Sequence, residues 1–155
     1  MKRIFNSIIS VVLMTMMPLA FAGCSDEKDI ILIEGNLPIK TNVLYMVGDA
    51  TPAGWDISNP TPFGQSETDA LVFTYTGHLN TGEMKCPLTT GNWGCTYLMP
   101  VENGCPISRS GVAANTFSLV PGGNPDYKWV VQDAGNYTLT FDLRNWTFDV
   151  QYLSD

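Results

Sequence analysis

The chain has 155 residues, 45% hydrophobic and 15% charged, enough to bury the core of one domain. Its formal net charge is −7, and such a surface repels phosphate backbones and anionic lipid, which argues against nucleic acid and electrostatic membrane binding. A single histidine, His78, and cysteines with no CxxC spacing leave no recognisable metal-ligand set and no supported Cys–His nucleophile.

Lys2 and Arg3 precede a mostly apolar stretch, Ile4 to Met17, interrupted by Asn6, Ser7, Ser10 and Thr15. It is too short and too polar to favour spanning a bilayer and reads as a secretory signal. Its end, "LAFAGC", is similar to a bacterial lipobox, with Ala22 and Gly23 before Cys24 and Phe21 where Leu is more usual. Acylation of Cys24 removes residues 1–23. It leaves 132 residues with six Lys and Arg against fifteen Asp and Glu, net −9, held to a membrane by acyl chains. Cleavage after Ala20 or Ala22, as in an ordinary signal peptide, is the alternative. The "SDEKD" after Cys24 resembles the export signal that sends lipoproteins to the outer face of the outer membrane in Bacteroidota-type bacteria; a solvated linker is the other reading. Residues 24–41 read as a tether, in which "IILI" has the character of an edge strand, and residues 42–155 as the domain.

Short runs of period two follow, separated by Gly, Pro, Asn and Asp clusters. They predict strands over 43–47, 70–77, 83–88, 96–99, 115–120, 127–132, 136–143 and 146–153. In "NYTLTFDL", Tyr137, Leu139, Phe141 and Leu143 share one face. A turn at "RN" leads into "WTFDVQYL", with Trp146, Phe148, Val150 and Tyr152 on one face; the two runs predict a hairpin with one wet side. In "YKWVV", Tyr127, Trp129 and Val131 share a face. The spacing predicts an all-β fold, an antiparallel immunoglobulin-like β-sandwich. Three cysteines lie inside it, Cys86, Cys95 and Cys105. Their odd number leaves at least one free, and buried thiols or one structural disulfide is the expectation.

The tryptophans divide into two pairs. Trp129 and Trp146 fall on apolar faces of periodic runs and are expected in the core. Trp55 ends the turn "GDATPAGWD" and Trp93 lies in "TTGNWGC", between Gly91 and Gly94, where no periodic apolar face exists. Such rings are either plugs under their loops or flat surfaces for something outside. An indole face suits the apolar C–H face of a sugar ring, with Lys, Asn, Asp or Arg at the rim for its hydroxyls.

From "LYMVGDATPAGWD" onward the chain resembles the C-terminal carbohydrate-binding modules of the SusE/SusF family of surface lipoproteins. The likeness continues through "FTYTGHLNTGEMKCPL", "TTGNWG", "PGGNPDYKWVVQDAGNYTLTFDL" and "TFDV", over about 43–152. The resemblance implies a β-sandwich that binds α-glucan such as starch without hydrolysing it, needs no cofactor, and is tethered outside the cell beside a TonB-dependent glycan importer. By position, Trp55 and Trp93 resemble the stacking aromatics and Lys85 the lysine that donates to sugar hydroxyls. Asn124 and Asp126 lie where a polar side chain completes the site. Met84 and Cys86 replace the usual aromatics around the lysine, and residues 99–114 look like an insertion able to cover or reshape the site. Only one module is present where family members carry two or three.

Two other functions compete. A structural or adhesive sandwich that binds protein shares every fold signal. A glycosidase needs two carboxylates about 5–5.5 or 6.5–9.5 Å apart across a cleft; no acid here lies in a recognisable motif, so a non-catalytic role is expected.

Overall fold

The computed structural model describes residue 39 and residues 41–155. The predicted signal segment 1–23, the lipidation candidate Cys24 and nearly all of the predicted tether lie outside the described residues. Thirteen short strands follow one another with no α-helix among the described residues. They are β1 (Tyr45–Met46), β2 (Thr61–Pro62), β3 (Gly64–Gln65), β4 (Val72–Leu79), β5 (Gly82–Met84), β6 (Cys86–Pro87) and β7 (Tyr97–Pro100). The rest are β8 (Cys105–Ser108), β9 (Gly111–Val112), β10 (Phe117–Val120), β11 (Trp129–Val131), β12 (Gly135–Asp142) and β13 (Thr147–Ser154).

The longest strands form a four-stranded sheet ordered β13-β12-β4-β3, antiparallel throughout. Along β12 the alternation predicted from sequence holds: Gly135, Tyr137, Leu139 and Phe141 are buried, and Asn136, Thr138, Thr140 and Asp142 between them are half-exposed. The opposing strands make a four-stranded sheet, β5-β11-β8-β9, and a three-stranded one, β10-β7-β6, with β1–β2 as a separate pair. Their apolar faces meet the β12 layer in one core. Trp129 packs on Phe141 and Phe148 with ring centroids 5.9 and 4.9 Å apart, and Phe117 meets Phe141 edge-on at 5.2 Å. The result is an all-β sandwich.

Several expectations need correction. One ladder is parallel, β8 on β11, with Trp129 opposite Cys105 and Val131 opposite Ile107. The supposed insertion 99–114 therefore holds a sheet strand and a hairpin, β8–β9, whose Ile107 is fully buried. The predicted strand 83–88 divides at Lys85: β5 joins β11, β6 joins β7, and the Lys85 backbone bridges Val47 instead. Ile39, assigned to the tether, is buried in the main core, so the domain reaches at least that far back. The last turn spans Leu143–Trp146 rather than Arg144–Asn145 alone. Asp142 closes it by accepting from the Arg144 and Asn145 amides. Trp146 is thus a turn residue at φ +58, half-buried, not a strand residue in the core. A left-handed backbone is costly for a bulky side chain. Its ring lies 4.3 Å from that of Phe117 and its Nε1 donates to the Phe117 carbonyl at 2.8 Å, which together hold it there. Cys86, Cys95 and Cys105 are all buried and all free.

Candidate functional site

Two loops bring Trp55 and Trp93 together. The first, Gly48–Trp55, is closed by its own backbone. Gly48 N donates to Gly54 O at 2.9 Å, and Gly54 N to Thr51 O at 3.0 Å. The buried Thr51 hydroxyl donates to Gly48 O at 2.9 Å. Gly48 sits at φ +139 with its Cα against β5: a Cβ there would stand 2.0 Å from Glu83 O. Only glycine fits this close, left-handed approach. The second loop is set by Asn92, whose Oδ1 accepts from Gly94 N at 2.8 Å. Gly91 N reaches Ile57 O at 2.7 Å and ties the two loops to each other.

On these hydrogen-bonded loops both indoles reach solvent. Trp55 is 40% exposed and Trp93 46%, and their centroids lie 6.3 Å apart with the planes tilted by 43°. Both rings are thus outside the core clusters.

Lys85 stands against the second of them, Trp93. Its neighbours Met84 and Cys86 point into the core, so strand alternation turns the lysine to the other side. There its Nζ lies 5.4 Å from the Trp93 ring centre and 4.4 Å from that of Tyr97. Nζ donates to Asp126 Oδ1 at 2.6 Å. The Lys85 side chain is only 8% exposed, whereas that of Asp126 is 52% exposed. The resemblance implied that Lys85 donates to sugar hydroxyls; its ammonium is instead buried against two aromatic rings and one carboxylate.

Asp126 holds a second cation. Lys128 Nζ donates to Asp126 Oδ2 at 2.9 Å and to its backbone carbonyl at 3.0 Å. Desolvation raises the Asp126 pKa, but the hydrogen bonds from Lys85 and Lys128 outweigh it and leave the carboxyl below the ordinary aspartate range. Lys128 is itself anchored, its amide donating to Asn103 Oδ1 at 3.0 Å and its carbonyl accepting from Gly104 N at 2.9 Å. The region read as an insertion thus touches the site through the Lys128 backbone. The loop carrying Asn124 and Asp126 lies on Tyr97: a Cβ on Gly123 would come within 2.9 Å of that ring. Tyr97 in turn donates its hydroxyl to Trp93 O at 2.9 Å, and burial pushes its phenol pKa up, so it stays a neutral donor. Asn124 is exposed on the same loop.

Four of the five binding residues chosen from sequence, Trp55, Trp93, Lys85 and Asp126, are therefore linked by direct contacts, and Asn124 lies two residues from Asp126. Lys128 and Tyr97 were missed. Lys128 was legible, since alternation in "YKWVV" sends it away from the buried face of Trp129. Tyr97 was not, because a tyrosine at the start of an apolar strand reads as core. Asn92 and Gly94 of the Trp93 loop also line a groove of about 680 Å³ with Ile39, Val43, Leu88 and Leu119. Among the described residues no three His, Cys, Asp or Glu side chains converge as a metal-binding group would require. Neither protein-family models nor curated proteins nor solved structures yield a match to this chain.

Proposed function

We propose that this protein is a non-catalytic glycan-binding lipoprotein, with Trp55 and Trp93 as its stacking platform and a starch-like α-glucan as its ligand. The observation that carries the reading is the exposed indole pair, 6.3 Å apart and tilted by 43°, beside the Lys85–Asp126 ion pair. The large apolar rings supply stacking faces, and the polar edge supplies partners for hydroxyls. The tilt favours a bent chain. A β-1,4-linked glucan is a flat ribbon whose stacking partners should be coplanar, whereas an α-1,4-linked glucan curls and turns successive rings relative to one another.

Each stack covers part of one ring face and should contribute on the order of 1–2 kcal/mol. After the cost of association, this supports a Kd between ~10 μM and 1 mM, which avidity with neighbouring glycan binders would strengthen. The immunoglobulin-like class of the sandwich, acylation at Cys24, display on the outer membrane and service to a TonB-dependent importer belong to the same proposal. They rest on the sequence features given above.

Electrophoresis through gels containing amylopectin, pullulan, xyloglucan or galactomannan tests the binding. Retardation by the α-glucans, with no reducing sugar released on long incubation, is the expected result. Equal mobility in every gel would remove the glycan reading and leave the protein-binding sandwich in its place. For placement, Cys24→Ala should free the protein from the membrane fraction, and protease added to intact cells should degrade the unaltered protein.

A further inference from the structure

The geometry at the platform bears on the hydroxyl contact that Lys85 was expected to make. We infer that Asp126, not Lys85, is the group that contacts the hydroxyls of a bound glycan. Lys85 is then a positioning residue that acts by holding Asp126 in place. The inference rests on the glycan-binding reading and assigns the work within that site.

The distribution of exposure carries it. Lys85 has its ammonium between two aromatic rings and a carboxylate, with 8% of its side chain reachable. A ligand lying on Trp55 and Trp93 meets the outer side of the site, where Asp126 is 52% exposed. An ionised carboxylate offers about four acceptor positions. Lys85 occupies one at Oδ1 and Lys128 one at Oδ2, so acceptor capacity remains on both oxygens of the exposed group. Two cations on a single carboxylate fix its orientation, so accepting from sugar hydroxyls needs no further ordering of the side chain. The site therefore selects a ligand that donates there. A sugar presenting free hydroxyls fits; one with methylated or deoxy positions at that edge, or with its own carboxylate facing Asp126, does not.

Lys128 belongs to the same unit. Its side chain is 19% exposed, it holds the other oxygen of Asp126, and its backbone is anchored on the 103–104 turn.

Calorimetric titration with maltoheptaose, cellohexaose and mannohexaose tests this on four forms: unaltered protein, Lys85→Met, Asp126→Ala and the double variant. Asp126→Ala should weaken binding about tenfold or more. The double variant should bind no more weakly than Asp126→Ala alone, because a lysine that acts through Asp126 has nothing left to position. Loss in the double variant equal to the product of the two single losses would give Lys85 a direct contact and overturn the assignment. The acid limit of binding supplies a second reading. With one cation gone, Lys85→Met should lose affinity at a higher pH than the unaltered protein; an unmoved pH profile counts against the positioning role. Where a variant fails to fold, Asp126→Asn decides alone, since it keeps an oxygen for Lys85. About tenfold weaker binding supports the assignment, and binding within about twofold of the unaltered protein overturns it. Failure of the unaltered protein to bind any of the three sugars removes the glycan reading and the assignment with it; binding with an unaffected Asp126→Asn removes only the assignment.

Discussion

Replacing Trp55 or Trp93 by alanine takes away a partly exposed ring, whereas replacing Trp129 empties the core. Trp129 is fully buried and touches both Phe141 and Phe148, so Trp129→Ala should cost roughly 3–5 kcal/mol and lower the melting temperature sharply. Trp55→Ala should leave the melting temperature nearly unchanged and weaken glycan binding about tenfold. A fall in Tm matching that of Trp129→Ala would make Trp55 a structural plug after all. The Trp129 indole N–H has no hydrogen-bond partner among the described residues. Trp129→Phe therefore removes an unpaired donor as it shrinks the ring, and should be tolerated far better than alanine. The thiols differ from these rings in kind. Burial pushes the Cys86 thiol well above its ordinary pKa, so it should resist alkylation at pH 8 in the native protein and react only after denaturation, as mass spectrometry of labelled protein would record.

Elements add constraints that no single side chain carries. The turn before Trp55 works because Gly48 lies against β5, and Gly48→Ala places a methyl on the Glu83 carbonyl at a φ that alanine avoids. That substitution should lower both Tm and binding, in contrast to Trp55→Ala, because the loop presenting the indole would lose its seat. Within β8, Ile107→Ala should cost about 2–5 kcal/mol, as expected of a core strand and not of a loop inserted over a site. The same elements mark how far the sequence could be read. β4, β12 and β13 are long and alternate regularly, and their positions were legible to within two residues. The short strands were not. β2 and β3 lie in "TPFGQ", where proline and glycine argue against a strand, yet Phe63 between them is buried. β8 and β9 lie in a segment rich in Gly and Ser that lacks a long alternating run, and nothing local announces a parallel partner. At the site, the two loop tryptophans were legible because they break the period. The burial of Lys85 was not, since it depends on Tyr97 and on a loop forty residues downstream, which only the folded chain brings against it.

Across the whole molecule, acid should act through several carboxylates at once. The hydrogen bond from Asn59, aided by the Ser58 amide, lowers the Asp56 pKa. The Leu71 amide and Arg144 lower that of Asp69, and the two lysines lower that of Asp126. A carboxyl with a folded pKa below its unfolded one leaves the unfolded chain binding more protons in between, so stability rises with pH through that window. The contribution is complete above about pH 5 and is lost as pH falls further. Denaturant midpoints should therefore agree at pH 7 and 5 and drop at pH 3, with salt weakening the exposed pairs. The order of pairing has a different consequence, one of timing. β4 finds its full-length partner in β12, and β5 finds its own in β11, each from the last thirty residues of the chain. Closing such distant pairs is slow, on the millisecond-to-second scale typical of all-β domains. A chain ending at Ala134 should show no cooperative unfolding transition, because β4 would lose its ladder partner β12 and the core would lose Tyr137, Leu139, Phe141 and Phe148. Until β12 arrives, β4 has only the two-residue β3 beside it. Under the proposal that the chain is exported, such a delay would leave the polypeptide threadable during passage, and stable structure would wait for the far side of the membrane.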